Sequence, residues 1–127
     1  MTDQAVTSAA DADPIHAFIG ETVSQHDIVL FMKGTPDAPR CGFSSLAVQI
    51  LDHLGADFVG VDVLQDEGLR DGIKTFSDWP TIPQLYVKGE FVGGSDIVRE
   101  MFNAGELQTL MAEKGVALGD GSDATGA

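Results

Sequence analysis

Five consecutive apolar residues, Ile28-Val29-Leu30-Phe31-Met32, constrain this chain more than any other feature. The run has the length of a strand and is dense in β-branched and aromatic residues. It shows none of the alternation expected of a strand with one wet face. Such a strand is buried on both sides, so its sheet needs apolar cover above and below. Helical patterns on either side supply that cover. Asp13-Pro14 is a helix start, an N-cap carboxylate followed by proline at the first helical position. Ile15, Phe18, Ile19 and Val23 then recur at helical spacing to about His26.

Lys33 to Arg40 carries Gly34, Pro36 and Pro39 and reads as a loop. A second helix is expected from Cys41 or Gly42 to Leu54, with Leu46, Ile50, Leu51 and Leu54 inward and Gly55 as its stop. Phe58 to Val63 is strand-like. Asp66 to about Phe76 reads as a short helix, with Arg70 and Lys74 on one face. Two prolines exclude helix from Trp79-Pro80-Thr81-Ile82-Pro83. Gln84 to Val87 and Glu90 to Val92 flank Lys88-Gly89, a hairpin signal. Gly93-Gly94 ends the hairpin, and Ser95 or Asp96 is expected to cap a last helix reaching about Met111.

The order is therefore α-β-α-β-α-β-β-α. Two strands joined through a helix run parallel, and the last two form an antiparallel hairpin. The economical packing is an α/β domain, a mixed four-stranded sheet flanked by helices on both faces. That is thioredoxin-like architecture. At 127 residues there is room for one domain. Its expected extent is 14–114, between a flexible acidic tail at 1–13 and a Gly/Ala/Ser/Asp-rich tail at 115–127.

Twenty Asp and Glu against seven Lys and Arg give a net charge of −13. That balance excludes binding to nucleic acid or an anionic membrane surface through bulk charge. No apolar run is long enough to span a bilayer. Residues 1–13 carry no basic n-region, apolar h-region or Arg-rich stretch, which favours a cytoplasmic location over secretion or organellar import. One cysteine forms no internal disulfide, in keeping with that compartment. His16, His26 and His53 show no ligand spacing and read as ordinary residues.

Cys41 falls in Pro39-Arg40-Cys41-Gly42-Phe43-Ser44, between a loop and a helix start. Free N–H groups and the positive end of a helix favour a thiolate there. Arg40 beside it, and Lys33 at the end of the preceding strand, add positive charge. A thiol with an ordinary pKa of ~8.5 is about 3% ionised at pH 7, and one at ~6 about 90%. A modest shift therefore multiplies the reactive fraction some thirtyfold.

Lys33, Cys41-Gly42-Phe43-Ser44, Trp79-Pro80-Thr81-Ile82-Pro83-Gln84-Leu85 and Gly93-Gly94-Ser95-Asp96 together resemble the monothiol glutaredoxin family, in the family's order, over about residues 14–112. The resemblance implies a cis Pro83 that presents the Ile82 backbone beside Cys41, and glutathione lying across that groove by strand-like pairing. Glutathione carries two carboxylates and one ammonium. Lys33 and Arg70, with Lys74 as a further possibility, are the candidate cations. Asp96 is the candidate anion, with Gly94 and Ser95 offering N–H groups at a helix start. Phe43 is expected to shield the sulfur or cover the core, and Trp79 to serve packing.

Ser44 stands where a dithiol enzyme keeps its resolving cysteine, and Ser95 where many relatives carry a further one. Two readings follow. In the first, Cys41 of two chains and two glutathiones supply four thiolates to a [2Fe–2S] cluster. The protein is then a cluster carrier, dimeric when loaded, that serves apo iron–sulfur proteins and pairs with a BolA-type protein, as the resemblance implies. In the alternative, Cys41 attacks protein–glutathione mixed disulfides as the nucleophile of a glutathione-dependent oxidoreductase. The first reading leaves at most weak enzymatic activity.

Overall fold

The computed structural model describes residues 14–116 and 118. Helix α1 (Pro14–Gln25) leads into strand β1 (Ile28–Met32). A small hairpin of β2 (Gly34–Thr35) and β3 (Ala38–Pro39) precedes α2 (Gly42–His53). Strand β4 (Val59–Asp62), a 3-10 turn at Val63–Gln65 and α3 (Glu67–Ser77) follow. Strands β5 (Gln84–Val87) and β6 (Glu90–Gly93) then lead to α4 (Ser95–Ala104) and α5 (Glu106–Glu113).

The sheet order is β4-β1-β5-β6. β1 runs parallel to β4, with Met32 opposite Asp62, and antiparallel to β5, with Ile28 opposite Val87. The β5–β6 turn places Lys88 and Gly89 at φ 53° and 81°, the paired positive values of a tight hairpin. All five residues of β1 are buried, and their alternation assigns them to two cores. Ile28, Leu30 and Met32 pack with Ala47, Val48 and Leu51 of α2, Val98 of α4, and Leu107 and Met111 of α5. Val29 and Phe31 pack with Ile19 and Val23 of α1, Leu69 and Ile73 of α3, and Tyr86. Each Val, Leu, Ile, Phe or Met among them contributes roughly 1.5–3 kcal/mol by leaving water. The mixed four-stranded sheet and its helices on both faces are as expected.

Several local expectations differ. The Lys33–Arg40 loop contains the β2–β3 hairpin, closed where the Arg40 N–H donates to the Lys33 carbonyl at 2.8 Å. The final helix is two helices, broken at Gly105 with φ +79°. The break turns α5 so that Leu107 and Met111 reach the core. Neither Ser95 nor Asp96 caps α4. Gly94 is the cap residue, and both lie in the first helical turn. Asp13 and the whole 1–13 segment lie outside the described residues. At the other end the packing runs past residue 114: Val116 is buried against the core, and Leu118 forms a β-bridge with Ala56. Among the described residues no helix is long and apolar enough to cross a membrane.

Candidate functional site

The end of β1 and the start of α2 meet at Cys41. Its backbone is extended, at φ −147° and ψ 139°, which makes it the N-cap of α2. Its carbonyl accepts the Ser45 N–H at 2.9 Å, the first bond of the helix, while its side chain caps nothing. The N–H groups of the first turn nonetheless act electrostatically on the sulfur. The Ser44 N–H holds the thiol pKa below its ordinary value. Burial works the other way, and the Phe43 N–H, the Lys33 charge and the Ser44 hydroxyl all favour the thiolate. The cation acting on the sulfur is Lys33. The charge of Arg40, adjacent in sequence, acts on Asp62 instead.

Ser44 is fully buried, and its Oγ accepts the Lys33 N–H at 3.0 Å. One hydroxyl thus ties the strand end to the helix start, and it also favours the thiolate of Cys41.

Beside Cys41 lies a groove of about 400 Å³, walled by Lys33, Cys41, Phe43, Lys74, Pro80, Thr81, Ile82, Pro83, Ser95 and Asp96. Most of the site residues singled out from sequence meet there. Arg70 and Gly94 do not. The last turn of α3 runs straight into the proline loop, with the Trp79 N–H on the Lys74 carbonyl at 3.1 Å. Lys74 is therefore at the wall, and Arg70 stands one turn back, about 5–6 Å along the axis. Gly94 packs beneath the loop: a Cβ there would stand 3.4 Å from both the Pro83 carbonyl and the Trp79 indole nitrogen. Asp96 is exposed and only loosely paired with Arg99, at 3.9 Å. Phe43 is 60% exposed beside the sulfur and shields no core.

Gln84, fully buried at the head of β5, shapes the loop. Its amide donates to the carbonyls of Trp79 at 3.2 Å and Thr81 at 3.1 Å, and the Tyr86 hydroxyl donates to its oxygen at 3.4 Å. The Ile82–Pro83 bond is cis. Trp79 packs on Phe91, ring centroids 5.5 Å apart, and is not a groove wall. Sequence reasoning missed the structural duties of Ser44 and Gln84. A polar residue heading an otherwise apolar strand was the available signal for Gln84. No group of three or more His, Cys, Asp or Glu among the described residues could hold a metal ion within one chain.

The family model for Glutaredoxin matches residues 28–92. A monothiol glutaredoxin of Rickettsia typhi is 50% identical over 97 residues, 76% of this chain and 87% of that protein. One from Synechocystis is 54% identical over 95 residues, 75% of this chain and 89% of its own length. Among solved structures, a monomeric truncated mutant of Trypanosoma brucei 1-C-Grx1 superposes with a TM-score of 0.76 at 41% identity, covering 83% of this chain and 96% of that one. Fold, motif order and identity over most of the chain agree, and the chain belongs to the monothiol glutaredoxins.

Proposed function

We propose that this chain binds glutathione in the Cys41 groove and carries a glutathione-ligated [2Fe–2S] cluster for delivery to apo iron–sulfur proteins. One observation carries the reading: a single thiol, with no second cysteine anywhere in the chain, opens onto a groove that offers both cations and an anion. Lys33 and Lys74 suit the carboxylates of glutathione, and Asp96 suits its ammonium. The backbone of Ile82 is available for main-chain pairing, and Arg70 and the Gly94 N–H are left as outer contacts. The tripeptide's sulfur would then come to rest beside that of Cys41.

The donor set fits the cargo. One chain has one thiolate, so two copies of Cys41 and two glutathiones complete four soft ligands. The cluster is thereby the joint of a homodimer, and exposed Phe43 lies at the rim where copies or recipients would meet. Half of the ligands are exchangeable small molecules, which suits release. A BolA-type protein is the further partner this reading carries, and the cytoplasm, where thiols stay reduced, is its compartment.

The test is anaerobic reconstitution with iron, sulfide and glutathione, followed by absorbance and size exclusion. Visible charge-transfer bands on a dimer, lost without glutathione or in Cys41→Ser, are expected. A colourless monomer would overturn the carrier reading.

The lowered thiol pKa of Cys41 favours a second reading, glutathione-dependent disulfide chemistry. Here the Cys41 thiolate attacks the glutathione sulfur of a mixed disulfide and releases the protein thiolate. A second glutathione thiolate then attacks Cys41-bound glutathione, giving oxidised glutathione and free Cys41. Turnover by an iron-free monomer is its signature.

A further inference from the structure

Lys33, the residue that follows β1, brings a positive charge to the groove, and the backbone through Lys33 and Gly34 is tied at three consecutive points. Its own N–H donates to Ser44 Oγ at 3.0 Å, and its carbonyl accepts the Arg40 N–H at 2.8 Å. The next N–H, that of Gly34, donates to Asp62 Oδ1 at 3.0 Å. The first two ties come from α2 and the β2–β3 hairpin. The third comes from the neighbouring strand, because Asp62 ends β4 directly opposite Met32.

Asp62 is itself well fixed. Its Oδ1 also accepts the Leu64 N–H at 2.9 Å, capping the 3-10 turn, and its Oδ2 accepts the Gln65 amide at 3.0 Å. Burial works against its charge, but Gln65, Leu64, Gly34 and the nearby Arg40 together hold the carboxyl below its ordinary pKa. It is therefore a carboxylate, an acceptor only, at neutral pH. Gly34 admits no side chain: at φ +95°, a Cβ would stand 2.6 Å from the Ala38 carbonyl and 2.7 Å from the Arg40 nitrogen. Asp62 is not among the residues walling the groove.

We propose that Asp62 is a positioning residue for the groove: its carboxylate fixes the backbone at Gly34 and so the direction in which the Lys33 ammonium is presented beside Cys41. This deepens the glutathione reading and rests on it. Without the tie, the hairpin keeps its other bonds, but the residue that aims the cation gains freedom, and an anionic ligand must order it on binding.

The test is a double-mutant cycle by calorimetric titration of reduced glutathione into the full 127-residue chain. Asp62→Ala is expected to weaken binding about tenfold, the size of one lost hydrogen bond to a charged group. Asp62→Ser keeps a short acceptor for the 3-10 cap without the reach to Gly34, and should lose about as much, tenfold, with the fold retained by circular dichroism. Asp62→Asn, which keeps an acceptor oxygen, should stay within about threefold of wild type. In a Lys33→Ala background the Asp62 substitutions should cost nothing further, because the residue they act through is gone. Wild-type affinity in both Asp62→Ala and Asp62→Ser, or an undiminished loss in the Lys33→Ala background, overturns the proposal. A wild type that does not bind glutathione overturns the parent reading, and this one with it, in an arm that contains no Asp62 variant.

Discussion

Ser44 does more than leave out a sulfur. Its buried hydroxyl accepts from the Lys33 backbone and favours the Cys41 thiolate, and its N–H is the largest single influence lowering the thiol pKa. Free thiols ionise near ~8.5, so the pH profile of iodoacetamide alkylation of Cys41 should have its midpoint below that of glutathione measured alongside. Ser44→Ala keeps the N–H and loses the hydroxyl, so it should move that midpoint upward without restoring the free value. A wild-type midpoint at or above that of glutathione would refute the account. The sign for stability follows from the same shift. The native thiol pKa lies below the unfolded one, so the thiolate's contribution is complete above the unfolded value and is lost as pH falls through the native one. The group is near the surface, so alkylation is the cleaner measurement.

Among the elements, the α4–α5 corner shows how one residue decides a boundary. Apolar periodicity continues across Gly105, and a single helix to Met111 is the natural expectation. A backbone at φ +79° ends α4 there, with the Gly105 N–H on the Phe102 carbonyl at 3.1 Å. A Cβ at this position would touch nothing within 4 Å. Any cost of Gly105→Ala is therefore a backbone cost, about 1 kcal/mol, and Gly105→Asn should lose about half of that because asparagine tolerates this region. Urea denaturation reads both. A neutral or stabilising alanine would mean that the corner tolerates an ordinary helical linkage. Asp62 belongs at this scale too, since a residue of one strand aims a cation held at the end of another.

At the scale of the whole molecule, the chain carries a net charge of −13, and its described residues fold around a small sheet covered on both faces. Self-repulsion of that size destabilises the compact state and is relieved by screening. Raising NaCl from about 0.01 M to about 0.1 M shortens the Debye length from about 30 Å to about 10 Å. The thermal midpoint at neutral pH should rise over that interval, and a flat or falling midpoint would mean that the acids are locally compensated. The exposed ion pair of Lys88 with Asp27, at 3.0 Å, works in the opposite sense and adds little at the surface.

The sequence by itself determined the central strand, the helices that cover it, the hairpin and the single thiol at a helix start. All of these are written in local periodicity, proline and glycine placement, and residue counts, which act over a few neighbouring residues. Val116 was legible only as part of a polar tail, because its burial depends on a cavity built by distant residues. The choice of Lys74 over Arg70 as a groove wall likewise awaited the tertiary structure. Both lie on one helix face, and only the path of the chain into the Trp79–Pro83 loop decides which turn is nearer. The same holds for Ser44, Gln84 and Asp62. Their side chains bond to backbone groups 11, 3 to 5, and 28 residues away, respectively. Of these, the Ser44 and Asp62 bonds carry no local pattern: the first needs the β2–β3 hairpin to fold the chain back from strand end to helix start, and the second needs the crossover helix to lay β4 parallel to β1.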